Sequence, residues 1–314
     1  MQFRVSSGFL LALLLVSSSP AADSPTFRAD ATLVKVETYV FNRKTKAPIA
    51  DLQASDFVIH DETEPRPIVS FSKASGPLDL VFLMDVSGTM RDVLPSVAAT
   101  AAGALAHLDR GDRAAVMAFG KRSSITQSLT GDFPSVVEGL RRIFNAPVGS
   151  DTDINQAVWA ASDYLYRAGG AANRGILVMT DNDQVTNVPD ALVDEQLYEA
   201  GAVLDGLLVR GFVPVPHIVH SGILHFADRT GGGVVEGAHP GAQLDEMIRR
   251  IKARYVLHFR PVETSSSAPR RIRVELTPAA RRRYPDAVVR ARSSYFPHSV
   301  YRPKPEIPEN ENVS

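Results

Sequence analysis

Short apolar runs, separated by longer helical segments, dominate the middle of the chain. The runs do not alternate apolar with polar residues, and this is typical of strands buried on both faces of a parallel sheet. The segments between them are rich in alanine or carry apolar residues every three or four positions, which indicates helices. The runs are residues 80–84, 114–119, 176–180 and 203–209, and the helical segments are 91–108, 133–143, 155–167, 189–200, 223–230 and 242–254. Strand and helix therefore alternate, which predicts a doubly wound, mostly parallel α/β sheet with helices on both faces.

Short β patterns flank this region, at residues 33–41, 56–60 and 68–71 before it and at 255–260, 271–276 and 287–291 after it. Neither flank is large enough to bury a core alone. We therefore expect the N- and C-terminal segments to form one small antiparallel β domain, split around the α/β part. The predicted boundaries are 23–74 for the N-terminal β segment, 75–254 for the α/β domain and 255–296 for the C-terminal β segment. A tail rich in Pro, Glu and Asn, residues 297–314, is predicted to be disordered.

The first 22 residues have the layout of a secretory signal. Arg4 supplies a positive charge, residues 9–16 form an apolar core, and residues 17–22 offer small side chains for cleavage. The apolar core is too short to span a bilayer, and no later stretch is long and apolar enough. We expect a secreted or periplasmic protein without a membrane span in its mature chain. An uncleaved, anchoring signal is the alternative.

Composition excludes several kinds of site. The chain has no cysteine, so disulfides and thiolate metal sites are ruled out. The formal net charge is −1, which gives no overall attraction to nucleic acid. We therefore expect neither a nucleic-acid partner nor a zinc–cysteine site, while the oligomeric state is left open.

Oxygen-bearing side chains cluster at the predicted strand ends. The run at 80–84 leads directly into Asp85, Ser87 and Thr89, and the run at 176–180 leads into Asp181. A third polar loop, residues 148–153, opens a helix and contributes Thr152. In a doubly wound sheet, ligands bind where the strand order reverses, and these loops meet there if the two strands flank that point. Hard oxygen ligands suit Mg²⁺ or Mn²⁺, and hydroxyls leave such a cation electrophilic. The predicted metal ligands are Asp85, Ser87, Thr89, Thr152 and Asp181, and the predicted partner is a protein or surface that offers an Asp or Glu to the cation.

These motifs resemble a known family. The sequences DVSGT, GSDTDI and MTDN are similar to the metal-ion-dependent adhesion site of von Willebrand factor A domains, and HFADRTGGGVVE resembles a segment near their end. Together with the signal and the segments DLQASDFVIHDE and RRIRVELTP, the chain resembles the secreted proteins of Acidobacteria and similar bacteria that carry this domain. The resemblance implies metal-dependent protein binding or adhesion rather than catalysis. The departures are Thr89, where serine is usual, Asn182, where many members have glycine, and the extra carboxylates Asp151 and Asp153.

Three alternatives remain open. In the first, the protein is a scaffold that has the domain but binds no metal. A phosphatase would use Asp85 as a nucleophile, but Ser87 stands where its second catalytic aspartate would be needed. A zinc site could use histidines from one segment, His217, His220 and His225, with His239 nearby.

Three other features have structural interpretations. Trp159 is expected to pack in the core, residues 231–233 (three glycines) to form a flexible turn, and residues 281–283 (three arginines) to form an exposed turn of the β domain.

Overall fold

The computed structural model describes residues 33–73, 76–143, 152–170, 173–182, 186–209, 222–237 and 240–297. All of them lie in one compact unit, Thr32–Ser314. The predicted signal and the tail beyond residue 297 lie outside the described residues. Within the described ranges, none of the helices has the length and apolar character that crossing a membrane requires.

The elements follow the predicted alternation. The strands are β1 (Val34–Asn42), β2 (Phe57–Asp61), β3 (Glu64–Arg66), β4 (Ile68–Lys73), β5 (Leu78–Asp85), β6 (Arg113–Phe119), β7 (Ser123–Thr130), β8 (Asn173–Thr180), β9 (Ala202–Val209), β10 (Val234–Gly237), β11 (Tyr255–Phe259), β12 (Arg270–Leu276), β13 (Ala287–Ala291) and β14 (Ser294–Tyr295). The helices are α1 (Leu94–Leu105), α2 (Phe133–Ile143), α3 (Ile154–Ala168), α4 (Asp190–Glu199), α5 (Ile223–Thr230), α6 (Pro240–Lys252) and α7 (Pro278–Arg283).

The central sheet has six strands in the order β10-β9-β8-β5-β6-β7. All neighbouring pairs are parallel except β6 and β7, so β7 is an antiparallel edge strand. The chain runs outward from β5 through β6 and β7, then returns to β8 and continues on the other side. The strand order therefore reverses between β5 and β8, which is the arrangement that brings the loops after these strands together, and the predicted α/β fold is confirmed.

Helices cover both faces of this sheet because alternate residues of each strand point to opposite sides. Leu80, Phe82 and Met84 of β5 pack with α1, α2 and α6, whereas Val81 and Leu83 pack with α3, α4 and α5. Because both faces of the sheet are covered, most residues of its central strands are apolar. Trp159 of α3 lies in the second of these cores, so the prediction that it packs there is confirmed.

The remaining strands form two four-stranded sheets, β13-β1-β11-β4 and β14-β12-β2-β3. Each sheet combines N-terminal with C-terminal strands, which confirms the split β region. This small antiparallel β domain consists of two packed sheets that share one core. The chain leaves the sandwich after β4 and returns to it at β11. These two strands are neighbours, so the α/β part is attached to the sandwich through an adjacent pair of strands.

A short strand and a short helix of the β region were not predicted, and the turn expected at residues 281–283 was wrong. The polar stretch between β2 and β4 contains the short strand β3, which pairs with β2. The three arginines belong to helix α7, whose N-terminus is capped by the Thr277 hydroxyl. Arg283 at its end donates to Asp56 at 2.8 Å. Helix α7 has no apolar periodicity, so the sequence indicates it only through the capping threonine and the proline that follows that threonine.

The glycine turn joins the two parts of the unit. Gly231 has φ +82°, and a Cβ there would lie 2.4 Å from the backbone of Ala291. A Cβ on Gly232 would lie 1.8 Å from the Leu204 carbonyl oxygen. The turn is buried against β13 and β9, so glycine is needed for close approach of backbones as well as for turning.

Candidate functional site

Asp85 ends β5 at the point where the strand order reverses. Its side chain is fully buried, and it accepts a hydrogen bond from the Ser87 backbone N–H at 2.8 Å. Its other oxygen, Oδ2, accepts from the Thr180 hydroxyl at 2.6 Å, across the gap between β5 and β8. Burial raises the pKa of Asp85 and the nearby Asp181 raises it further, while hydrogen bonds from Thr180 and Ser87 lower it. Asp85, Ser87 and Asp181 therefore lie close to one another.

The loop after β8 is fixed by its own hydrogen bonds. The Thr180 hydroxyl also accepts from the Asn182 N–H at 3.0 Å, and the Asn182 side-chain oxygen accepts from the Ile223 N–H at 3.3 Å, at the start of α5. Asn182 has φ +62°, in the left-handed region that glycine and asparagine tolerate best. This explains why asparagine can replace glycine at this position, and it fixes the backbone on either side of Asp181.

The third loop meets the sheet beside β6. Thr152 is buried, and the next residue, Asp153, donates its N–H to the carbonyl of Gly120, directly after β6. The Val86 N–H in turn donates to the carbonyl of Phe119, so the exits of β5 and β6 are tied together. Thr152 therefore lies beside the strand that adjoins Asp85. Thr89 lies in a short 3₁₀ helix, Gly88–Met90, that follows β5.

Asp153 is used for structure. One of its carboxylate oxygens accepts from the Gln156 N–H at 2.9 Å and caps α3, and the other accepts from the Asn187 side chain at 3.0 Å. Both oxygens thus have protein partners, and the possibility that Asp153 joins the metal site has no support in the geometry. Asp151 lies outside the described residues. The hydrogen bond from Asn187 to Asp153 was not predicted, because in the sequence Asn187 is only one polar residue in a loop.

Asp85 differs from most other buried aspartates in having no cationic partner within the described part of the chain. Asp153 lies at a helix N-terminus, where the helix dipole favours an anion. The remaining five each contact an arginine or a lysine: Asp56 with Arg283 (2.8 Å), Asp61 with Arg270 (2.9 Å), Asp79 with Arg113 (2.7 Å), Asp112 with Lys252 (2.8 Å) and Asp205 with Arg254 (2.5 Å). Burying a carboxylate without a positive charge is costly, so the Asp85 environment is suited to a bound cation.

The donor set fits a hard divalent cation. It combines carboxylate oxygens with hydroxyls, the ligand types that Mg²⁺ and Mn²⁺ accept. No group of three or more His, Asp or Glu side chains that could hold a metal occurs among the described residues, so a site here depends on hydroxyl ligands. The predicted zinc alternative rests mainly on His217, His220 and His239, which lie outside the described residues. His225 itself hydrogen-bonds Asp194 at 3.1 Å.

Residues 80–184 match the family model of the von Willebrand factor type A domain, and the chain therefore contains a domain of this class. Similar solved structures include the hypothetical protein BatB from Bacteroides thetaiotaomicron, at 16% identity and a TM-score of 0.46, covering 55% of this chain and 97% of that one. A von Willebrand factor type A protein from Catenulispora acidiphila has 12% identity and a TM-score of 0.45, covering 73% of this chain and 71% of that one. No curated protein matches this chain. The narrower resemblance to secreted acidobacterial proteins stays a prediction.

Proposed function

We propose that this protein is an exported binding module that holds a divalent cation, Mg²⁺ or Mn²⁺, at Asp85, Ser87, Thr89, Thr152 and Asp181. Domains of this class commonly serve protein interaction or adhesion. Through the cation the module would bind an accessible Asp or Glu of a partner, in a binding role without catalysis. The observation that carries the proposal is the buried Asp85 carboxylate, to which the described part of the chain offers only neutral donors.

The hydroxyl ligands explain why the site would bind an acidic partner. Two carboxylates bring two negative charges, whereas hydroxyls coordinate without adding charge. A cation held mainly by hydroxyls keeps its attraction for an external carboxylate. The hydrogen bonds of the Ser87 and Asn182 backbones would hold Ser87 and Asp181 in place before the cation arrives, which would reduce the entropic cost of binding.

Metal binding can be tested by isothermal titration of chelator-stripped protein with Mg²⁺ and Mn²⁺. We expect saturable binding by the wild type and none by Asp85→Asn or Ser87→Ala. The matched control is Asp79→Asn, because Asp79 lies on the same strand and is equally buried but bonds Arg113 at the far end. That variant should lose stability and keep metal binding. Metal binding that survives in a folded Ser87→Ala would contradict the proposed ligand set.

The same cation should stabilise the fold. A ligand at one hundred times its dissociation constant adds about 2.7 kcal/mol to the free energy of unfolding. Thermal unfolding of the wild type should therefore shift upward in Mg²⁺ and return in chelator, whereas Asp85→Asn should show no shift. A labelled peptide with an accessible Asp or Glu should bind in Mg²⁺ and be released by chelator.

A metal-independent scaffold is the second candidate. It is favoured by the hydrogen bonds that already close the three loops, from Thr180 to Asp85, from Asn182 to Thr180 and from Asn187 to Asp153. In that case the wild type would bind no cation, and Asp85→Asn would leave partner binding unchanged. Export itself can be tested by N-terminal sequencing of the secreted protein, which should begin near residue 22 or 23.

A further inference from the structure

A second polar site lies where the β sandwich meets the edge of the α/β sheet. A cleft of about 200 Å³ opens there between the glycine turn, Gly231–Gly233, and side chains of β1, α6 and β13. We call it the arginine cleft, and its polar lining consists of Tyr39, Lys46, Asp205, Arg250, Arg254 and Arg290. None of these residues belongs to the proposed metal site. The edge strand β10 is three strands from β5, roughly 14 Å across the sheet at about 4.8 Å per strand.

The lining carries an excess of positive charge. Lys46 and three arginines face one carboxylate, Asp205, which is already bonded to Arg254 at 2.5 Å. Arg250 also contacts Glu246 at 2.9 Å, along its own helix. With Glu246 included, the cleft has four cationic side chains and two anionic ones. The cleft therefore attracts anions even after its own ion pairs are formed.

Three residues that line the cleft each carry a buried donor atom without an acceptor among the described residues. The Arg254 side chain is 4% exposed, and its Nε has no partner although its Nη2 bonds Asp205. The Tyr39 hydroxyl, on a residue that is 5% exposed, also lacks a partner, as does Nε of Arg250. Burial raises the pKa of Tyr39 while Arg250 and Arg254 lower it, so these cations lie close to the hydroxyl. Unsatisfied buried donors are costly and call for an acceptor.

The glycine turn holds the third arginine of the cleft, Arg290, in place. Arg290 donates to the carbonyl of Gly232 at 3.2 Å, and a Cβ on Gly233 would lie 2.7 Å from the Arg290 guanidinium. The guanidinium also stacks over the Phe41 ring, 5.9 Å from its centroid, and Lys46 lies 6.0 Å from the same ring. Side chains of both parts of the unit are thus positioned around one cleft.

We infer that the arginine cleft binds a small phosphate-type oxyanion through Tyr39, Arg250 and Arg254. All three line a cleft with an excess of positive charge and carry a donor that lacks an acceptor in the described part of the chain, and guanidinium groups match the oxygens of phosphate in geometry and charge. At about 30 Å³ per water, the cleft has room for roughly seven waters, enough for a phosphoryl group with a small substituent. The inference does not depend on the proposed cation site.

The test is isothermal titration of the full chain with inorganic phosphate, pyrophosphate and acetate, in a buffer free of other oxyanions. We expect saturable binding of phosphate or pyrophosphate and weaker binding of acetate. Arg250→Gln should weaken phosphate binding by at least about tenfold, and Tyr39→Phe should weaken it less. Tyr39→Phe keeps the ring and its stacking on Phe41, so it tests the hydroxyl even if an arginine variant fails to fold.

The matched control is Arg249→Gln. Arg249 precedes Arg250 on α6 but points to Asp245 on the surface, at 2.7 Å. It should bind phosphate like the wild type, and Asp85→Asn or added chelator should leave phosphate binding unchanged. The inference would be overturned if the folded wild type showed no saturation by about 10 mM phosphate or pyrophosphate. Equal weakening by Arg249→Gln, or tighter binding of acetate than of phosphate, would overturn it as well.

Discussion

The buried pair of Asp205 and Arg254 holds the edge of the sheet beside the sandwich, and Asp205→Asn should be strongly destabilising. Both residues are 4% exposed and their closest atoms are 2.5 Å apart. Asp205 also accepts from the Gly233 N–H at 3.0 Å. Removing one charge of such a pair leaves the other buried and uncompensated, which costs about 3–5 kcal/mol. Because asparagine retains an acceptor, we expect the lower end, about 3 kcal/mol, or roughly 5 °C in Tm for a chain of 314 residues.

The measurement is urea unfolding in a phosphate-free buffer, so that no anion in the arginine cleft compensates Arg254. The control is Asp245→Asn, since the Asp245 side chain is 36% exposed and bonded to His107 at 2.6 Å and Arg249 at 2.7 Å. Exposed pairs contribute at most about 1 kcal/mol. Equal costs for the two variants would refute the argument that Arg254 is buried and charged. The double variant Asp205→Asn with Arg254→Met should recover at least about 1 kcal/mol relative to the sum of the single changes.

Two further predictions concern stability. Hydrogen bonding to Asp194 raises the pKa of His225, so this pair stabilises the fold fully below about pH 6.5 and loses its contribution as the pH rises through the higher folded-state pKa. His225→Gln should therefore show a smaller fall in Tm between pH 6 and 8 than the wild type, and an identical fall would count against the pair. Gly232→Ala would place a Cβ 1.8 Å from the Leu204 carbonyl oxygen, so chemical unfolding should show a loss of about 3 kcal/mol or more. A loss below about 1 kcal/mol would mean that the turn can move away from β9.

The α/β architecture could be predicted because its strands are buried on both sides. A continuous apolar run such as the one in β5 requires cover on both faces of the strand, and its alternation with helical segments indicates a parallel sheet. The strands and the helix that were not predicted are short elements that bury little apolar surface. β10 has four residues at the sheet edge and β3 has three, so neither shows a periodic pattern. Helix α7 ends in three arginines, and its first turn gives only a capping threonine and a proline.

The candidate metal site could be predicted in outline for the same topological reason. Asp85 and Asp181 follow strands that turned out to be neighbours, and the rule for strand ends then brings their loops together. The sequence could not assign the role of each carboxylate. Asp153 is an extra carboxylate beside the predicted ligand Thr152, and it caps a helix. Thr180 ends a strand, and its hydroxyl donates to Asp85. Such roles depend on distances of a few tenths of an ångström between loops.

The arginine cleft was beyond sequence reasoning because its residues come from distant parts of the chain. Tyr39 lies in β1 and Arg290 in β13, on either side of the whole α/β part, and no motif joins them to Arg254. The two proposed sites nevertheless follow one physical principle. A folded chain leaves a buried charge or donor without a partner only at a cost, and a bound ion of opposite charge removes that cost. At Asp85 the unmatched group is an anion, which calls for a cation. At Arg254 and Tyr39 the unmatched groups are donors, which call for an anion.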